Sequence, residues 1–248
     1  MIAPNRTGRI MAILKVSIFQ KNLAEGLNLS LHKRLSAVKS DFLVFPEYFA
    51  VDGSTKDHRA LADRTKFALD WLGKLSESYK GVVIGGTVIR EIEGKFYNAM
   101  PVFFEGQLID WYHKRFLTEN EAPLLTPGKD PGVFILGGHR FGVLICADVL
   151  KPEYVKELAD MDVKLIFTVM NSPYKEETVE EKHERDEKLY CGPAREMGLS
   201  IIKCCSAGTI FGRRLQGRSL AVTPSGISWR VAPEEEDREI LKTVVLNA

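Results

Sequence analysis

Three residues stand directly past the ends of apolar runs, and together their types could do acyl-transfer chemistry. Cys146 follows Phe141-Gly142-Val143-Leu144-Ile145, Glu47 follows Phe42-Leu43-Val44-Phe45-Pro46, and Lys114 follows Trp111-Tyr112-His113. A thiol at a strand end can be a nucleophile, whereas one in mid-strand is usually packing. A carboxylate beside low-dielectric walls has its pKa raised toward the range of a general base. A lysine facing the same cleft lowers a neighbouring thiol's pKa and donates to a developing oxyanion. Each residue taken singly also has a plainer reading. Free cysteine is among the most buried residue types. Glu47 could cap a helix or sit in a surface loop, and Lys114 could be the surface charge that ends a strand. His113 adjoins Lys114, but alternation along a strand sends its side chain to the opposite sheet face. It reads as structural, and a Cys-His dyad is not the choice.

Holding three such groups together takes strands that end at a common edge. Strands are expected over residues 12–19, 41–45, 81–89, 96–104, 107–113, 133–136, 140–146, 165–170, 200–205, 219–223 and 239–246. The run 42–45 is apolar throughout, as in strands buried on both faces. Helices are expected over 22–39, where Leu23, Leu27, Leu31, Leu35 and Val38 recur at helical spacing, and over 57–79. Two more are expected over 151–161, with Pro152 near the first helical position, and over 176–197, kinked or split at Gly192-Pro193. Glu93-Gly94 and Glu105-Gly106 read as hairpin turns. Helices alternate with strands, yet hairpins are mixed in, so a simple doubly wound parallel sheet does not fit. The pattern predicts an α/β fold: a four-layer αββα sandwich of two mixed sheets with outer helices, in a single domain over residues 1–248. The acidic run 234–237 reads as a solvated turn.

Composition narrows the function classes. Basic and acidic residues nearly cancel, 34 against 33, so no nucleic-acid or acidic-membrane partner is expected. The four cysteines, Cys146, Cys191, Cys204 and Cys205, have neither disulfide-framework nor zinc-ligand spacing. No metal or other cofactor is called for. Residues 10–19 are interrupted by Lys15 and Ser17 and read as a strand rather than a secretory signal. No apolar run is long enough to span a membrane, and a cytoplasmic location is expected.

The three strand-end residues and their surroundings resemble the nitrilase superfamily of carbon–nitrogen hydrolases. The matching pieces are Phe45-Pro46-Glu47, Gly85-Gly86, Tyr97-Asn98-Ala99, Tyr112-His113-Lys114-Arg115-Phe116-Leu117 and Pro127-Gly128 with Val133-Phe134. Gly142-Val143-Leu144-Ile145-Cys146-Ala147-Asp148, Pro152-Glu153, Gly217-Arg218-Ser219 and Pro224-Ser225-Gly226 complete them, in order over nearly the whole chain. The resemblance implies a Glu-Lys-Cys triad at Glu47, Lys114 and Cys146, working through a thioester and without a metal. It implies that Lys114 and the backbone N–H of Ala147 stabilise the tetrahedral intermediate. A second glutamate that positions the lysine falls at Glu121, with Glu119 as competitor. Ala147-Asp148 after the cysteine is nearer the amidase and carbamoylase branches than the nitrile-hydrolysing Trp-Glu pattern. Tyr48, Asn171 and Ser172 fall where the family lines its pocket, although Asn171-Ser172-Pro173 is also turn chemistry. A homodimer or higher homo-oligomer is implied, through helices like 152–161 and 182–197.

The expected activity is hydrolysis of a small linear amide or N-carbamoyl compound. Nitrile hydrolysis on the same residues is the first alternative. A metal-dependent phosphoesterase is a second, because Glu47, Asp148 and Asn171 are oxygen ligands at strand ends. A catalytically idle binding protein is a third, against which the complete set of reactive groups argues.

Overall fold

A computed structural model describes residues 13–52 and 55–247. In chain order the elements are β1 (Ile13–Asn22), α1 (Leu29–Ser36), β2 (Phe42–Phe45), α2 (His58–Asp63), α3 (Thr65–Ser78), β3 (Val82–Gly85), β4 (Val88–Ile92), β5 (Lys95–Phe104) and β6 (Gln107–His113). There follow β7 (Val133–Leu136), β8 (His139–Ile145), α4 (Pro152–Asp160), β9 (Leu165–Met170), α5 (Val179–Asp186) and α6 (Gly192–Met197). The chain finishes with β10 (Ser200–Ala207), β11 (Thr209–Ile210), β12 (Arg213–Arg214), β13 (Leu220–Thr223), β14 (Gly226–Arg230) and β15 (Ile240–Asn247).

Thirteen strands form one mixed sheet with the path β4-β5-β3-β2-β1-β10-β9-β8-β7. β6 joins β5, β15 joins β1, and β13 and β14 extend from β10. The two mixed sheets of the expected sandwich are hydrogen-bonded to each other through β1 and β10, as one continuous, curled sheet. Its halves meet where β1 and β10 share only two residue pairs, Lys21 with Ser206 and Asn22 with Ala207. Those pairs lie at the C-terminal ends of both strands. β1, β2, β3, β8, β9 and β10 are paired in parallel. β5 is antiparallel to β3 and β6 antiparallel to β5, so β6 points the same way as β3. Glu47, Lys114, Cys146 and Asn171 all follow strands of this one direction, which brings them to the same edge.

The interior reflects the residue pattern. Inner-facing residues of both halves share one cluster, with Phe42 meeting Phe141 at 5.0 Å and Phe167 at 4.8 Å between ring centroids. A second cluster packs α1 and α3 on the outer side of β1–β3, through Leu35, Trp71, Leu72 and Leu75 against Phe19, Leu43 and Phe45. A third packs α4 and α6 on the outer side of β8–β10. Strands buried on both faces are the reason their sequences are continuous apolar runs.

Several boundaries differ from expectation. Ala12, the expected first strand residue, lies outside the described residues. The helix expected over 22–39 is confined to α1, because β1 continues to Asn22 and Asn28 caps the helix by accepting from the Leu31 N–H at 2.8 Å. The helix expected over 57–79 breaks at Arg64, whose side chain donates to Ala50 O and pairs with Asp52. The strand expected over 81–89 divides at Gly86, where φ is +60° and a Cβ would meet Pro46 O at 2.2 Å. Around Pro193 the helix passes through a π-turn, Glu187–Cys191, which absorbs the missing N–H. β14 and the β11–β12 hairpin were not expected. The acidic run 234–237 is no plain solvated turn either. Glu236 binds Lys182 and approaches Arg218, and Asp237 pairs with Arg214.

Candidate active site

β2 ends in Pro46-Glu47, and the buried Glu47 side chain is held from both sides. Its Oε1 accepts from Asn98 Nδ2 at 2.8 Å and Lys114 Nζ at 3.3 Å, and its Oε2 accepts from the Asn171 N–H at 2.9 Å. Lys114, just past β6, is 1% exposed. It donates to both oxygens of Glu121, each at 2.8 Å. Glu121 also accepts from the Thr118 N–H at 3.0 Å and hydroxyl at 2.9 Å, and from Asn98 Nδ2 at 3.3 Å. Glu119 is exposed, so the lysine's second carboxylate is Glu121 and not its competitor.

Burial alone would lower the Lys114 pKa, but the ionisable acids around it, Cys146, Glu47 and Glu121, outweigh burial and hold it above the ordinary lysine value. Conversely, burial would raise Glu121, and Lys114 outweighs it and holds the carboxyl below its usual range.

Cys146 begins a 3-10 turn, Cys146–Leu150, immediately after β8. Its φ is +49°, a left-handed conformation that costs a non-glycine residue about 1–2 kcal/mol. That kink lifts the thiol off the strand axis, and Sγ comes within 3.9 Å of Asn171 O. Burial pushes the thiol pKa well up, Glu47 is the largest charge acting on it and pushes it further, and Lys114 opposes both. A thiol pushed up in this way keeps its proton at neutral pH, and acting as a nucleophile would require a base to take it. Ala147 occupies the first turn after Cys146, where N–H groups have no partner inside the helix.

Two further residues of this frame escaped the sequence reading of roles. Asn98 is fully buried in β5 and bridges both glutamates. Asp148, treated above only as a branch marker or a metal ligand, is fully buried and accepts four protein hydrogen bonds. Oδ1 takes the N–H groups of Arg115 at 3.1 Å and Phe116 at 2.7 Å. Oδ2 takes Tyr112 Oη at 2.8 Å and the Ile145 N–H at 3.0 Å. The available signal was polarity: each interrupts an apolar stretch that offers no solvent. His113, read above as structural, meets Arg90 at 3.2 Å and packs against the Tyr97 ring.

Glu47, Tyr48, Lys114, Glu121, Cys146 and Asn171 line one cavity of about 420 Å³. Its mouth carries an aromatic group in which His58 meets Tyr48 at 5.8 Å and Phe211 at 4.9 Å. Tyr48 has φ +53°, and its buried hydroxyl, near Glu121, completes no hydrogen bond of normal geometry. Ser172, with its Oγ against Met170 Sδ at 3.8 Å, lines not this cavity but an adjoining one that shares Cys146 and Asn171. A larger groove of about 650 Å³ lies beside the starts of β2 and β3 and holds none of these groups. Cys191, Cys204 and Cys205 are buried in the packing clusters.

The family model for carbon–nitrogen hydrolases matches residues 11–247. The chain belongs to the carbon–nitrogen hydrolase family. It is 30% identical over 139 residues to a glutamine-dependent NAD(+) synthetase of Acinetobacter baylyi, covering 54% of this chain but only 26% of that protein. It is 26% identical over 191 residues to a 2-oxoglutaramate amidase of Bacillus subtilis, covering 75% of this chain and 71% of that protein. The crystal structure of Saccharomyces cerevisiae Nit3, from the nitrilase superfamily, shares the fold with a TM-score of 0.79 at 21% identity, covering 97% of this chain and 92% of that one. The family membership replaces the phosphoesterase alternative. Among the described residues no group of three His, Cys, Asp or Glu could hold a metal ion, and Asp148 is already committed to four protein donors. No described helix is long and apolar enough to cross a membrane.

Proposed function

We propose that this carbon–nitrogen hydrolase cleaves a non-peptide C–N bond in a small linear amide or N-carbamoyl compound, through a thioester on Cys146. The observation that carries this reading is the shared cavity. A buried thiol, a carboxylate that is the strongest charge acting on it and a buried ammonium line the same space. Glu47 takes the Cys146 proton as sulfur attacks the carbonyl carbon. Lys114 and the Ala147 N–H stabilise the oxyanion that forms. Glu47 returns the proton to the departing nitrogen as the C–N bond breaks, which releases ammonia or an amine and leaves the thioester. Glu47 then takes a proton from water, the water oxygen attacks, and the C–S bond breaks with the thiol reprotonated. Glu121 and Asn98 keep Lys114 and Glu47 in register, with Tyr48 and Asn171 as substrate contacts.

Amide chemistry, rather than nitrile chemistry, is supported by the amidase among the relatives and by Ala147-Asp148 after the cysteine. Three packing clusters, one central and two outer, support reading the curled sheet as the inner pair of layers in a four-layer αββα sandwich. The test is ammonia release from a panel of amides, N-carbamoyl compounds and nitriles. Turnover of amides or carbamoyl compounds, abolished in Cys146→Ala, is the expected result. Turnover confined to nitriles, or turnover by Cys146→Ala, overturns the reading.

A further inference from the structure

The 420 Å³ cavity continues outward. At its mouth it shares Asp57 and His58 with an open groove of about 550 Å³. Ala62, Ile89, Phe96, Pro123, Leu124 and Leu125 make the wall of that groove apolar. Of its polar residues, Asp57 is taken up in capping α2, where it accepts from the Ala60 N–H at 2.9 Å, and Arg59 is exposed. His58 packs its ring on Tyr48 and Phe211 at the boundary between the two spaces. Burial holds its pKa below the ordinary histidine value, so the ring is uncharged at neutral pH. Ile89 and Leu125 are buried in one cluster with Tyr48, but Phe96 is 38% and Leu124 56% exposed. A single exposed leucine is ordinary. Two large apolar side chains on one groove that opens from the Cys146 cavity are the pattern of a ligand wall.

Which part of a substrate reaches the groove follows from the proton path. Glu47 lines the cavity on the groove side and does not line the adjoining cavity of about 240 Å³, which Ala147 lines. In the thioester reaction Glu47 hands its proton to the departing nitrogen, so that nitrogen lies on the Glu47 side. A substituent on it points along the cavity toward His58 and the mouth. The acyl chain is left the smaller adjoining cavity. That cavity carries Lys175, Arg185 and Lys203 in its lining and is the poorer match for an apolar chain.

We propose that the groove binds an apolar substituent on the amide nitrogen: the substrate class is an N-alkyl amide with a short acyl group, and the first product is an apolar amine rather than ammonia. The proposal rests on amide hydrolysis at Cys146. The S–C bond forms as the thiol proton passes to Glu47. The C–N bond breaks as Glu47 returns that proton to nitrogen, and the neutral amine leaves along the groove. Water then cleaves the thioester and restores the thiol.

The experiment compares kcat/KM for N-methylbutyramide and N-hexylbutyramide, with butyramide as the unsubstituted reference. The two N-alkyl compounds present the same reacting bond and differ only in apolar length on nitrogen. Wild type should prefer the hexyl compound by about tenfold or more, the effect of burying a few methylenes. Leu124→Glu and Phe96→Glu, which put a charge on the groove wall, should each bring that ratio toward one, and Leu124→Met should keep it. N-methyloctanamide carries its added length on the acyl side and should gain nothing over N-methylbutyramide. A second measurement uses no turnover: N-hexylbutyramide should raise the Tm of Cys146→Ala more than N-methylbutyramide does, and the difference should vanish when Leu124→Glu is added. Turnover of butyramide or N-methylbutyramide with no preference for the hexyl compound overturns the groove assignment and leaves amide hydrolysis standing. So does a ratio unchanged in both glutamate variants, or a gain only from the longer acyl chain. If none of these amides is turned over yet the hexyl chain gives the larger Tm rise through Leu124, the amidase reading fails and the groove survives. Equal Tm shifts from the two N-alkyl amides overturn the groove in either case.

Discussion

Asp148, two residues after Cys146, accepts the backbone N–H of Phe116, two residues after Lys114, at 2.7 Å. One carboxylate thereby ties the loop that carries the thiol to the loop that carries the ammonium. Its other oxygen returns to Tyr112 on β6 and to Ile145 on β8, the strands that deliver the two residues. Asp148→Asn turns one acceptor oxygen into a donor facing donors. The expected loss is about 2–4 kcal/mol of stability, from buried groups left unpaired. Urea unfolding at neutral pH measures it, and turnover should fall as well, because the Cys146–Lys114 spacing loosens. A variant as stable and active as wild type would show that the tie is dispensable.

Cys146→Ala should abolish turnover, on the order of 10⁴-fold or more, while leaving the fold intact. The left-handed backbone at that position accepts alanine no worse than cysteine. Mass spectrometry of wild type with a slow amide should find the acyl group on Cys146. A label on Cys191, Cys204 or Cys205 would move the nucleophile elsewhere.

Glu47→Gln should separate thiol acidity from activity. The Glu47 charge raises the Cys146 pKa, so neutralising it lets that pKa fall. Thiolate absorbance should appear at lower pH than in wild type, although turnover is lost with the base. Lys114→Met should move the thiol in the opposite direction, since Lys114 favours the thiolate. Matching shifts of one sign in both variants would contradict the arrangement.

Glu121→Gln should cost about 3 kcal/mol at neutral pH, because a buried ammonium loses its closest counter-charge. The folded-state pKa of Glu121 lies below its unfolded value of about 4.3, so its contribution is complete above that pH. It is lost as pH falls through the folded-state pKa. The stability gap between wild type and Glu121→Gln should therefore narrow in acid, as unfolding curves collected from pH 7 downward will show. Glu119→Gln should stay within about 0.5 kcal/mol of wild type, as expected for an exposed side chain.

The reactive set was legible in the sequence because strand ends are legible. Continuous apolar runs stop at Phe45-Pro46 and Ile145, and burial on both faces demands such runs. Helix limits were less legible. Leucines at helical spacing continue through residues 23–27, yet pairing of Lys21 and Asn22 with β10 keeps β1 extended, and the Asn28 cap delays the helix. Gly86 likewise ends β3 because Pro46 O leaves no room for a Cβ, a contact between residues forty positions apart.

By itself the sequence determined the strand-ending residues, the family and the chemistry available to a thiol, a carboxylate and an ammonium. Only the tertiary structure decided which glutamate grips Lys114 and that Asp148 ties the Cys146 and Lys114 loops together. The physical reason is burial. Local sequence states a residue's charge, but long-range packing removes the water around it and so chooses its partner, its pKa and its role.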